Sequence, residues 1–309
     1  MSAPKGRGAV WTDERLPRRA KGAPAPAGLR SDERQRGGTR EGGAFEAPRR
    51  RAGTALHAEW TKLRTAPGTV WLLLAVVALT VGLGIMADAV ARCPSAGCQL
   101  DPAKTSFIGV DLSQAIVAIL AVVSVGGEYS SGMIRVTFTA MPRRISVLAA
   151  KAAAVTGPVL AAGTIAVLGS LLAGRLILTG HGFTPAHGYP LLSLGDGLVL
   201  RATAGSVLYL ALIGLLSLGV AAAVRDAAVA IGLILGLLYL FPIITTVVGS
   251  PSLHRHLEQL APMTAGLAIQ DTTGLHGLPL SPWAGLGVLT AWAAGALLLG
   301  GLLLRLRDA

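Results

Sequence analysis

Few side chains in this sequence are of a type and spacing suited to chemistry. Asp111 and Gln114 stand three residues apart within an apolar run, and Cys93 and Cys98 bracket a short polar stretch, RCPSAGCQ. Five of the six histidines, at positions 181, 187, 254, 256 and 276, fall in polar connections. Gly126 to Lys151, GGEYSSGMIRVTFTAMPRRISVLAAK, is the one long polar insertion between hydrophobic runs that also carries a basic cluster. The pair His254 and His256 has no carboxylate or cysteine at metal-ligand spacing, so it reads as loop. No GxxxxGK[ST] phosphate loop, GxSxG nucleophile elbow or HExxH zinc motif occurs in the chain. Phosphate cradling, acyl transfer and zinc proteolysis therefore lack their residues. No catalytic, cofactor-binding or metal-binding residue is assigned, and the chain reads as a non-enzyme.

The remaining candidates depend on where the membrane lies. A carboxylate deep in lipid is costly and functional by default. Asp111 falls close to the expected edge of its apolar run, so two readings stand. It is a headgroup-level residue, capping the helix with Lys104 and Ser106 nearby, or a pathway or gating group together with Gln114. If their loop is outside the cytosol, Cys93 and Cys98 are placed for a local disulfide; zinc would require further ligands.

The elements that must position these residues follow from composition. Hydrophobic residues make up 52% of the 309 positions and charged residues 14%, against about a quarter charged in soluble domains. This is the composition of a polytopic membrane protein. The net charge of +11 sits at the ends of apolar runs and in the N-terminal tail, and aromatic residues are only 5%. Cytosolic loops facing anionic headgroups explain that charge more simply than nucleic acid does.

The expected fold class is all-α, with six transmembrane helices at about 69–90, 107–125, 152–178, 198–224, 227–249 and 283–304, each near the roughly 20 residues that a bilayer core requires. Residues 1–53, rich in Arg, Gly, Pro and Ala, cannot bury enough apolar surface to fold and are expected to be a disordered basic cytosolic tail. Arg49, Arg50 and Arg51 are its candidate lipid tether. Residues 54–309 form the membrane domain. It opens with an interfacial amphipathic helix, Thr54 to Arg64, with Leu56, Trp60 and Leu63 on one side and Glu59 and Lys62 on the other. Twelve Lys and Arg residues fall at one set of span ends and five at the other, which places both termini and the 126–151 stretch in the cytosol.

At about 100° per residue, Tyr129, Met133, Ile134, Val136, Phe138, Ala140 and Met141 share one arc of that stretch. Glu128, Ser131, Gly132, Arg135 and Thr139 share the other. Pro142 closes the segment and Arg143-Arg144 starts the next helix. The pattern is that of a surface gripped from the cytosol. Arg225-Asp226 leaves room only for a tight hairpin between the fourth and fifth spans. Leu257 to Ile269, in the long outer connection, is too short and too broken by Pro262 and Gly266 to span, and is expected to be re-entrant or interfacial. Gly157, Gly163, Gly169 and Gly174 make the third span a close-packing surface, within one chain or between two.

Two stretches carry a resemblance: AEWTKLRT at Ala58 to Thr65, and GEYSSGMIRVTFTAMPRR between the second and third spans. Together they look like the membrane subunit of type-2 ABC transporters, actinobacterial ones especially. The family's cytosolic loop runs from an acidic residue through a Gly-Thr-like turn and an apolar stretch to Pro and basic residues. Glu128, Gly132-Met133, Ile134 to Ala140, Pro142 and Arg143-Arg144 stand in those places, with Met133 where Thr is common. Leu260-Ala261-Pro262 to Ile269 is similar to the family's outer segment before the last span. The likeness covers roughly Thr54 to Arg307.

It implies a permease subunit of a bacterial plasma-membrane exporter, multi-pass, paired as a dimer with a second copy or a paralogue and coupled to a separate ATP-binding cassette ATPase. ATP and Mg would bind in that partner, not here. Glu128, Ser131, Gly132, Arg135, Thr139, Arg143 and Arg144, with Glu59 and Lys62 of the interfacial helix, would form the coupling surface. The competing expectation is a six-span enzyme or anchor acting on lipid or peptide without ATP coupling, for which an essential outer or intramembrane polar cluster, Asp111 with a histidine for example, would be the signature.

Overall fold

A computed structural model of the chain describes residues 67–93, 100–130, 144–187, 189, 192–247 and 251–306. The expected tail, the interfacial helix with Glu59 and Lys62, Cys98, and the coupling residues Ser131, Gly132, Arg135, Thr139 and Arg143 lie outside the described residues. Every regular element among the described residues is helical.

In chain order these are α1 (Pro67–Val90), the short α2 (Pro102–Ser106), α3 (Val110–Ser130), α4 (Arg144–Gly180), α5 (Gly197–Val224), α6 (Ala227–Val247), α7 (Pro251–Leu260), α8 (Pro262–Leu267) and α9 (Pro282–Leu306). Short 3₁₀ turns sit at Pro185–His187, Ala268–Gln270 and Leu275–Gly277. Five helices, α1, α4, α5, α6 and α9, are long and apolar enough to cross a membrane. The expected second span, α3, has 21 residues, but its described apolar part, Val110–Gly126, is shorter than the other five. Asp111, Ser113 and Gln114 in its first turns dilute its hydropathy.

α5 is the hub: α9, α3, α4 and α6 all pack against it, while α1 packs on α4 and α3. Apolar burial drives little helix association in lipid, so close backbone approach must do it. Gly219 of α5 shows how. A Cβ there would lie 2.5 Å from the Ala296 carbonyl carbon of α9, and one on Gly300 would lie 2.7 Å from the Gly219 oxygen. Buried hydroxyls fasten the other contacts. Thr80 of α1 and Ser113 of α3 are 2.6 Å apart, and Ser170 of α4 donates to the Thr80 carbonyl at 3.3 Å.

The two ends of the bundle differ. At one, Gly126 near the end of α3 abuts Ala227 at the start of α6, and Lys151 Nζ donates to the Ser124 carbonyl at 3.3 Å. The expected tight hairpin is there. Arg225 ends α5 in the left-handed conformation (φ 65°), and Asp226 Oδ1 accepts from Val229 N at 2.8 Å. α4 begins at Arg144, as the basic pair predicts, and is 37 residues long with Pro158 inside. At 1.5 Å per residue it measures about 55 Å, against a hydrocarbon core of about 30 Å.

Candidate functional site

The opposite end carries a polar crown built by the long connections. Asp101 caps α2, accepting from Ala103 N and Lys104 N at 3.1 Å each. The same carboxylate receives the Thr272 hydroxyl at 2.7 Å and Thr273 N at 2.8 Å from the connection before α9. Lys104 Nζ meets Asp271 Oδ1 at 2.7 Å, and Arg201 of α5 donates to the Asp271 carbonyl. Residues far apart in sequence thus close one end of the bundle through charge-assisted bonds, the stronger kind. Sequence reasoning missed Asp101, Asp271 and Arg201. Each is a single charge with no local partner, and pairing across 70 to about 170 positions leaves no local pattern.

Beneath the crown lie the two predicted polar residues of α3. Gln114 is fully buried; its Oε1 accepts the Tyr209 hydroxyl of α5, and its Nε2 donates to the Asp111 carbonyl at 2.9 Å. Tyr239 of α6 donates to the same carbonyl at 2.7 Å. Three helices meet in this cluster, and α8 presses on it from above. A Cβ at Gly266 would fall 2.6 Å from the Tyr209 ring, so only glycine lets α8 come this close. The Asp111 side chain is half-buried in the seam between α3 and α6, with the Lys104 ammonium near enough to attract it.

The two polar residues expected near Asp111 bond mainly elsewhere. Ser106 binds Asp88 Oδ1 at 3.0 Å instead, and Lys104 makes its ion pair with Asp271. Asp88 itself, at the end of α1, is fully buried against Gly174 of α4, with Oδ2 left without a hydrogen-bond partner.

Comparison with known protein families and with characterised proteins finds no match to this chain. The site therefore rests on its own geometry.

The other candidates disperse. His181 Nδ1 lies 3.0 Å from the Asp88 backbone carbonyl, and the ring is near enough to the Asp88 carboxylate to interact with it electrostatically. His254 Nδ1 pairs with Glu258 Oε2 at 3.4 Å, one helical turn along α7. Among the described residues, no group of three or more His, Cys, Asp or Glu is placed to hold a metal. Cys93 is buried and disulfide-bonded, and its N–H donates to the His181 carbonyl at 2.9 Å. Gly182, at φ 94°, lets that strand of loop pass close to the Cys93 carbonyl. Glu128 lies on the last turns of α3 and Arg144 opens α4, which puts the two ends of the predicted coupling stretch at the Ala227 end of the bundle.

Proposed function

We propose that this chain is the permease subunit of an ATP-binding cassette exporter in a bacterial plasma membrane, working with a separate ATPase and as a dimer with a second copy or a paralogue. In this reading α3 is a sixth span. It supports that role by running from the crown to Ala227 beside the other helices, about 30 Å at 1.5 Å per residue. Both termini are then cytosolic.

The observation that carries the proposal is the amphipathic, basic 126–151 stretch joining the end of α3 to an over-long α4. ATP-driven closure of the partners would push on Glu128, Ser131, Arg135 and Thr139. A rigid α4, continuous from Arg144 to Gly180, would carry the displacement to the far end of the bundle. The seam between α3 and α6 fits a pathway or a subunit contact. Asp111 and Tyr239 are half-buried there, and Leu112 and Ile243 on the same two helices are exposed. A carboxylate facing acyl chains is expensive, so water or another subunit covers it. An enzyme reading has less support, because the charged group near the Asp111 carboxylate is Lys104 rather than a histidine.

The test is co-purification with the Walker-type ATPase expected from the neighbouring reading frame. Glu128→Ala and Arg135→Glu should each abolish capture of the ATPase while the chain still inserts in the membrane. Retained capture and transport in both variants would remove the coupling role of this stretch.

A further inference from the structure

α7 presents an apolar face that the bundle does not cover. In the sequence PSLHRHLEQL, Leu253, Leu257 and Leu260 share one side at helical spacing, with His254, Arg255 and Glu258 on the other. Leu253 is 50% exposed and Leu260 61%. In water a short helix with this pattern would hide its leucines against the protein.

Its depth explains the exposure. The Leu260 carbonyl accepts the Trp292 indole N–H at 3.0 Å, and Trp292 lies ten residues along α9 from Pro282. Ten residues are about 15 Å of helix. Side chains lean toward the helix N-terminus, and Gln259 Nε2 reaches the Pro279 carbonyl at 3.0 Å, so the end of α7 lies between the start of α9 and the depth of Trp292. Around it the surfaces of α6 and α9 are apolar and open, with Val247 81% exposed and Trp283 58% exposed. Trp283 is the second residue of α9, at the end of a spanning-length helix, where indoles favour the membrane interface. The leucine face of α7 continues the lipid-facing surface of two spanning helices, while its polar face keeps Arg255 exposed on the side away from the leucines.

We infer that α7 is an interfacial helix seated in the phospholipid leaflet at the crown end. Leu253, Leu257 and Leu260 lie among the acyl chains and Arg255 at headgroup level. Through Ala261 and α8 it continues to Gly266, which bears on the Tyr209 ring, so the leaflet has a mechanical link to the Gln114–Tyr209 junction. The inference requires only that α6 and α9 cross a bilayer; it does not depend on the transporter reading.

Variants Leu253→Cys and Arg255→Cys of the full chain, which keeps Cys93 and Cys98, labelled with bimane in phosphatidylcholine vesicles, test it, with the parent chain taken through the same labelling as control for the two native cysteines. The label at 253 should lose most of its emission when the acyl chains are brominated and keep it in iodide. The label at 255 should respond to iodide. Iodide quenching at 253 would overturn the inference. So would insensitivity to both quenchers, or cross-linking of Leu253→Cys between two copies, since each would mean that protein or water covers this face.

Discussion

Replacing Tyr209 with Phe removes one oxygen from a side chain that is fully buried and leaves the ring against Gly266 in place. The loss falls on Gln114, whose Oε1 then has no donor while its Nε2 stays tied to the Asp111 carbonyl at 2.9 Å. Hydrogen bonds between membrane helices average about 0.6 kcal/mol and reach about 1.7. A buried acceptor left unsatisfied costs about 1–3 kcal/mol. Because the amide is held at its other end and cannot turn to water, the second effect governs, and the expected destabilisation is about 1.5 kcal/mol. Gln114→Leu should cost a similar amount by stranding the Tyr209 hydroxyl. The double variant, with neither polar group, should be less destabilised than the sum by about 1 kcal/mol. Denaturant-induced unfolding in mixed micelles, followed by helical circular dichroism, measures all four proteins. Additivity within about 0.3 kcal/mol, or an unchanged Tyr209→Phe, would refute a pairing in which each group satisfies the other.

Other substitutions test the packing and the crown. Gly219→Ala should destabilise by about 1–3 kcal/mol, since its methyl would strike the α9 backbone. Gly232→Ala, with open space around it, should be neutral or stabilising by up to about 1 kcal/mol. The same unfolding titration reads both, and equal effects would contradict the α5–α9 contact. Asp101→Ala removes a helix cap together with the acceptor for Thr272 and Thr273. It should cost about 1–2 kcal/mol and speed amide exchange at 101–106 and 271–273, measured by mass spectrometry. Exchange confined to 101–106 would mean that the two segments are not joined through Asp101. The coupling-stretch variants and the α7 labels complete the set.

The sequence alone determined the class and most of the helices. Runs of about twenty apolar residues have one stable form in lipid, a helix with its backbone bonds satisfied internally, so α1, α5, α6 and α9 lie close to the expected bounds. The Arg225-Asp226 hairpin and the helix start at Arg144 were likewise legible, because both are set by residues adjacent in the chain. α3 was harder, since its polar residues serve contacts with other helices and so weaken the local signal. Asp111 and Gln114 were identifiable as unusual from their setting, but their partners were not. Tyr209, Tyr239, Asp271 and Arg201 are ordinary residues where they stand, and acquire meaning only when folding brings segments 70 or more positions apart within hydrogen-bonding distance. Tertiary structure decided that Ser106 serves Asp88 and Lys104 serves Asp271, and that glycine at 266 admits α8 to the Tyr209 ring. Hydrophobic pattern is written residue by residue along the chain, whereas the pairing of buried polar groups depends on the geometry of the packed helices.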